Sequence, residues 1–209
     1  MSVELWTSGL ESLNCTPNET QLSQLKQYVD LLDRWNKTYN LTAIRDPKEM
    51  IPLHIFDSLV VADFIKGDNC LDVGSGAGLP TIPLAILQPQ RAFTALDTNG
   101  KKTRFIQQAV IELGLKNVNV EHTRVENYQA DKKFDAIISR AFASLHDFVS
   151  SSSPHLAKGG VLYAMKGQYP AGEIQYLAKG FQLNKSHELI VPAVEGERHL
   201  LEIVATESL

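Results

Sequence analysis

The residues most able to do chemistry cluster in Asp72-Val73-Gly74-Ser75-Gly76-Ala77-Gly78-Leu79-Pro80, where one acid precedes three glycines at alternate positions. Glycine reaches dihedrals closed to other residues and leaves no Cβ between backbone and ligand. A strand that feeds such a turn and then a helix brings N–H groups close to a bound nucleotide. The apolar run Cys70 to Val73 supplies the strand, and Thr81 to Leu87 reads as the helix that Pro80 opens. A dinucleotide turn has the pattern G-x-G-x-x-G, which would put its third glycine at position 79. This chain has Leu79 there, with Gly78 one step early. A glycine-rich turn with no ligand stays open at this point.

Asp97 ends the next apolar run, 23 residues beyond Gly74. An acid at that place accepts hydrogen bonds from ribose hydroxyls in Rossmann-like folds, with helix capping as the alternative role. After the third strand, Val125 could pack on an adenine and Glu126 could accept from its exocyclic amine; an exposed loop pair is an even alternative. Arg140 and Lys166 each follow a strand, at the edge where open sheets bind ligands. No Ser/His/Asp or Cys/His arrangement is evident. His54, His122, His146, His155, His187 and His199 show no ligand spacing and read singly as structural or surface groups. The two cysteines, Cys15 and Cys70, share no metal-type spacing, so no metal is expected and a reducing cytoplasm is the simple reading.

Net charge is −4 with a pI near 5.9, which excludes a generic polyanion binder. A nucleic-acid partner would have to meet a local basic patch, for which Lys101, Lys102, Arg104, Arg124, Arg140, Lys166 and Arg198 are the candidates. For Lys101, Lys102 and Arg104 a solvated first helical turn is an even alternative. No apolar run approaches a membrane span and no leader pattern is expected at the start.

The elements that must position these residues divide the chain in two. Residues 1–65 read as a helical extension. Thr16-Pro17-Asn18-Glu19 resembles a capping box that launches an apolar stripe through Trp35. Asp46-Pro47-Lys48-Glu49 repeats the start signal, and Pro52 should break or kink this second stretch. Arg34, Lys37, Arg45 and Lys48 lie at the helix ends, either as plain packing partners or as a lid. Residues 66–209 alternate strand and helix, which predicts an α/β, Rossmann-like, seven-stranded and mostly parallel sheet. Strands are expected at Arg91–Asp97, Val118–Glu121, Phe134–Ser139 and, after Gly159-Gly160, Val161–Met165. A helix is expected over Ala171–Lys179, then Leu183–Val191 and Arg198–Thr206 as a terminal antiparallel hairpin.

Asp72-x-Gly74-x-Gly76-x-Gly78 resembles the first motif of S-adenosylmethionine-dependent class I methyltransferases, whose cofactor has no pyrophosphate to cradle. Nearly the whole chain resembles the bacterial small-subunit (16S) ribosomal RNA guanine-N7 methyltransferase G family, also called glucose-inhibited division protein B. The likeness includes Trp35-Asn36-Lys37-x-Tyr39-Asn40-Leu41-Thr42, His54-Ile55-x-Asp57-Ser58, Ile138-Ser139-Arg140-Ala141-Phe142-Ala143 and Gly196-Glu197-Arg198. The resemblance implies a cytoplasmic enzyme that methylates N7 of one guanine in a loop near the decoding region, and a monomer is expected. It implies S-adenosylmethionine contacts at Gly74, Leu79, Val125, Glu126 and Arg140, to which the turn adds Gly76, Gly78 and Asp97. Arg124, Arg140 and Lys166 map to the substrate-facing cations. Because N7 has a free lone pair, Arg140 and Lys166 are expected to position rather than to transfer protons. A non-catalytic RNA-binding or assembly factor and a dinucleotide oxidoreductase are the alternative classes.

Overall fold

A computed structural model describes residues 3–140 and 142–206. Ala141, inside the Ser-Arg-Ala-Phe-Ala motif, lies outside the described residues, as do residues 1–2 and 207–209. The extension opens with α1 (Val3–Ser12), which the sequence pattern does not mark, and α2 (Glu19–Tyr39). Asn18, not Thr16, caps α2: its side chain accepts the Gln21 backbone N–H at 2.9 Å, and the Gln21 side-chain Oε1 accepts the Asn18 backbone N–H at 3.0 Å. Gln21 also donates to the Ile86 carbonyl at 2.9 Å, a tertiary bond that favours this register over the local one at Thr16.

Asp46 caps α3 (Pro47–Met50) by accepting from Lys48 N–H. Pro52 has no N–H for an α-helical bond, and the chain widens into a π-helical turn over Ile51–Phe56 before α4 (Asp57–Leu59). The expected kink is thus a widened turn that places His54 and Asp57 toward the sheet.

The sheet comprises β1 (Asn69–Val73), β2 (Ala92–Asp97), β3 (Val118–His122), β4 (Phe134–Ser139), β5 (Leu156–Lys166), β6 (Phe181–Glu188) and β7 (His199–Ala205). Their order is β3-β2-β1-β4-β5-β7-β6. All pairings are parallel except those of β7 with β5 and with β6. Helices α5 (Thr81–Leu87), α6 (Gly100–Leu113) and α7 (Leu145–Ser152) complete the crossovers. The order reverses between β1 and β4, where Ser139 Oγ donates to the Val73 carbonyl at 2.8 Å. The crevice beyond the carboxyl ends of β1 and β4 is therefore the switch point at which such sheets bind ligands.

Two boundaries differ from the sequence reading. Gly159 and Gly160 lie inside β5, beside a register irregularity with β4. A Cβ on Gly160 would sit 2.9 Å from the Asp135 carbonyl, so glycine serves close strand approach there and β5 begins at Leu156, ahead of the expected Val161. The helix after β5 is only α8 (Ala171–Ile174). Gly172 within it and Gly180 beyond it, at φ +88°, give little support for propagation to Lys179.

The extension shares one core with the sheet's helices: Leu25, Tyr28 and Leu32 pack with Phe56, Ile82, Phe105 and Ile106. Arg34 pairs with Glu112 and Lys37 with Asp33, while Arg45 donates to the Asn36 carbonyl, so these three cations serve local structure.

Candidate active site at the carboxyl edge of the sheet

Asp72 is fully buried at the end of β1, and its Oδ2 accepts hydrogen bonds from Ser75 Oγ at 2.6 Å and Thr81 Oγ1 at 2.7 Å. Its Oδ1 has no partner among the described residues. Burial raises the Asp72 pKa to about 6, opposed by the two hydroxyl donors and by the charge of Arg140. The acid thus ties the strand end to both sides of the glycine turn. From β2, the Leu96 carbonyl accepts the Gly74 and Ser75 N–H groups, and Asp97 Oδ2 accepts the Gly76 N–H at 2.8 Å. From α2, the buried Tyr28 hydroxyl donates to the Ala77 carbonyl at 2.6 Å.

The three glycines do different work. Gly78, at φ +83°, lies so close to α5 that a Cβ would meet Ile82 Cγ1 at 2.7 Å. A Cβ on Gly76 would meet only the Gly74 carbonyl, at 4.0 Å. Gly74, at φ +73°, lines a cavity, and a Cβ there would meet no protein atom within 4 Å.

That cavity, about 280 Å³, is lined also by Asp97, Arg124, Val125, Glu126 and Phe142. Asp97 already accepts backbone N–H bonds on both oxygens, the second from Asn99 at 2.8 Å. Each carboxylate oxygen keeps a further lone pair for a ribose hydroxyl. Val125 is buried, and its carbonyl is held by His155 Nε2 at 2.8 Å, which fixes that ring nitrogen as a donor. An acceptor carboxylate, an apolar wall and an open glycine backbone fit the ribose, the base and the amino-acid arm of S-adenosylmethionine. Leu79 faces the core, with its N–H donating to the Ser75 carbonyl, so its side chain does not join this wall.

A larger cavity, about 490 Å³, lies at the ends of β4 and β5 and is lined by Thr42, His54, Asp57, Arg140, Lys166 and Arg198 among others. Arg140 lines this cavity and not the smaller one, two residues before Phe142. Its charge also bears on the buried Asp72 and Tyr28. Lys166 Nζ pairs with both oxygens of Glu173 at 3.1 Å. Asp57 accepts from Arg140 at 3.3 Å and from Arg198 at 3.0 Å.

His54 faces Thr42 Oγ1 through Nε2 at 2.9 Å and the Leu53 carbonyl through Nδ1 at 3.0 Å. The carbonyl can only accept, so Nδ1 bears the proton and Nε2 accepts from the Thr42 hydroxyl. Burial and Arg140 lower the His54 pKa to about 4, leaving a neutral ring with both nitrogens engaged. His54, Asp57 and Lys166 are thus each bound to a neighbour, and the site is built to orient groups.

Lys101, Lys102 and Arg104 lie apart, on the first turn of α6, where Asn99 accepts the N–H groups of the two lysines. Arg104 lines a separate depression with His122. Sequence reasoning gave no role to Asp57 and Thr42, which stood only inside the family motifs, nor to Glu173 or Tyr28. A usable signal existed for Asp57: with His54 and Ser58 it interrupts the mostly apolar run from Met50 to Val61. Among the described residues no group of three or more acidic, histidine or cysteine side chains could hold a metal, and no helix is long and apolar enough to cross a membrane.

Comparison with known proteins agrees with this geometry. The sequence model of the family described as rRNA small subunit methyltransferase G matches residues 21–201. Proteins named ribosomal RNA small subunit methyltransferase G are similar to this chain: that of Marinobacter nauticus is 48% identical, over 95% of this chain and 93% of its own length. That of Ectopseudomonas mendocina is 52% identical, over 92% and 91%. Among solved structures, the glycopeptide N-methyltransferase MtfA complexed with S-adenosylmethionine superposes with a TM-score of 0.62 at 13% identity, over 74% of this chain and 88% of that one. TrmN from Thermus thermophilus gives 0.56 at 21% identity, over 73% and 47%. These two likenesses are of fold.

Proposed function

This chain belongs to the rRNA small subunit methyltransferase G family, and from that premise we propose that it methylates N7 of a single guanine of 16S rRNA. It is an S-adenosylmethionine-dependent rRNA methyltransferase, which sets aside the dinucleotide oxidoreductase and the non-catalytic assembly factor. The observation behind the assignment of roles is the pair of cavities at the carboxyl edge of the sheet, the smaller lined by Gly74, Asp97 and Val125 and the larger by Arg140, Lys166 and Arg198.

The smaller cavity holds the cofactor. Asp97 accepts from the ribose hydroxyls, Val125 packs on adenine, Glu126 accepts from the adenine amine, and Gly74 lets the amino-acid arm lie against the backbone. When bound, S-adenosylmethionine supplies an electrophilic methyl group. The larger cavity holds the target base. Guanine N7 is an acceptor in the neutral base, so no proton has to leave before it attacks. That is consistent with a site in which His54 is neutral with both ring nitrogens engaged. The protein's contribution is alignment, which can supply several kcal/mol of the barrier, with Arg140 and Lys166 as positioning groups.

Duplex RNA hides N7 in a deep, narrow groove, so the target guanine is unpaired or flipped when it enters. Arg124 supplies a phosphate contact at the smaller cavity and Arg140, Lys166 and Arg198 do so at the larger one, while Lys101 and Arg104 extend the basic track away from both on the start of α6. An acidic protein with only a local basic rim favours the assembled small subunit over naked RNA. The working form is a cytoplasmic monomer in which residues 1–65 complete the wall of the larger cavity.

The test is transfer of labelled methyl to small subunits lacking the mark, compared with naked 16S rRNA, with the labelled base mapped. Label on one guanine N7, stronger on the particle, is expected. Label on another atom overturns the N7 assignment, and label on naked RNA alone overturns the particle as substrate.

A further inference from the structure

Asp57 stands where two distant parts of the chain meet. Arg140, just past β4, donates Nη1–H to its Oδ2 at 3.3 Å, and Arg198, just before β7, donates Nε–H to its Oδ1 at 3.0 Å. The carboxylate side chain is 8% exposed, while the two arginines are 28% and 29% exposed. The acid is thus enclosed and the cations reach the cavity. Each arginine contact uses one N–H, and a guanidinium has five. Arg198 spends one more on the Glu197 carbonyl, so both groups keep donors for a ligand.

The charges of the cavity sort into two groups. Lys166 is matched by Glu173, which closes on it with both oxygens. Among the groups that line the cavity, two guanidiniums then share one carboxylate, an excess of one positive charge on its wall. A single phosphodiester has the complementary charge, and its paired oxygens suit guanidinium donors. We propose that Asp57 is a positioning residue that holds Arg140 and Arg198 side by side as the seat for one phosphate of the target nucleotide, and so registers the base in the larger cavity. This rests on the reading of that cavity as the nucleotide site.

The sign of one effect separates this role from simple charge damping. Asp57→Asn makes the cavity more positive, so if Asp57 only weakened the field, RNA attraction would rise. If it positions, the freed guanidiniums repel and part, and alignment is lost despite the added charge.

Three measurements on the full chain test this. In the free protein, ¹⁵N spectra of arginine side chains should show the Arg198 Nε–H protected from exchange in wild type and unprotected in Asp57→Asn; equal exchange in both overturns the bridge. In a titration followed by NMR, guanosine 5′-monophosphate should bind more tightly than guanosine, with the advantage lost in Arg198→Gln; equal affinities in wild type overturn the phosphate seat. In methyl transfer to unmarked small subunits, Asp57→Asn should lower kcat about tenfold or more and raise KM for the subunit, with Asp57→Glu recovering part of the loss. A lower KM with unchanged kcat overturns the positioning role. Absence of transfer by wild type would refute the enzymatic reading alone, since the first two measurements use no substrate subunit.

Discussion

At the residue scale, the two outer glycines of the turn separate binding from stability. Gly74→Ala meets no atom within 4 Å and bears chiefly the left-handed backbone cost at φ +73°, about 1–2 kcal/mol. It should fold and lose affinity for S-adenosylmethionine. Gly78→Ala adds a 2.7 Å clash with Ile82, so the overpacking cost of about 1–3 kcal/mol comes on top. Urea denaturation should rank Gly78→Ala below Gly74→Ala, and calorimetric titration with the cofactor should show the Gly74→Ala loss. The buried titratable pair gives a second contrast. His54 titrates near 4 in the folded chain against an ordinary 6.5, so its contribution is intact above 6.5 and is lost as pH falls toward 4. Asp72 titrates near 6 against an ordinary 3.8, so it costs stability as pH rises from 3.8 to 6. The two oppose each other between about pH 4 and 6. Relative to wild type, His54→Asn should gain stability as pH falls through that window, and Asp72→Asn should gain it as pH rises. Thermal melting against pH checks both signs.

At the scale of elements, α2 matters because it reaches the cofactor loop. Its apolar face buries Leu25, Val29 and Leu32, and Tyr28 in the same stripe extends its hydroxyl to the Ala77 carbonyl. Tyr28→Phe keeps the ring and leaves that carbonyl unpaired, which should cost about 1–3 kcal/mol in a denaturant melt. The same variant should weaken cofactor binding, because the loop between Gly74 and Gly78 loses its tie to the extension. The π-helical turn acts on the other cavity. By widening at Pro52, it sets His54 and Asp57 on the wall that Arg140 and Arg198 also line. An unbroken α-helix through the same residues would advance by 3.6 residues per turn and present a different side chain there.

At the scale of the whole molecule, the acidic surface and the basic crevice make recognition local. Charge of the wrong sign elsewhere disfavours non-specific attachment to RNA, while the cations near the two cavities act at short range. The preference expected for assembled subunits over naked RNA comes from this distribution, because a folded particle presents one loop to one crevice.

The strand, the glycine turn, Asp97 and the alternation of strand and helix were legible in the sequence because each is set by local periodicity or by spacing along one stretch. The positions of Arg140 directly after β4 and of Lys166 at the last residue of β5 were legible in the same way, and Val125 and Glu126 fall in the turn that follows β3. What the tertiary structure decided depends on residues far apart in the chain. It moved the α2 cap from Thr16 to Asn18 through the bond from Gln21 to Ile86. It turned Leu79 into the core and gave Gly78 to helix packing. It also brought Asp57 to Arg140 and Arg198 across 83 and 141 residues. Hydrophobic pattern encodes which face of an element is buried, but the partner of a buried charge is fixed only when the strands take their order. For that reason the glycine turn could be read from eleven consecutive residues, and the larger cavity could not.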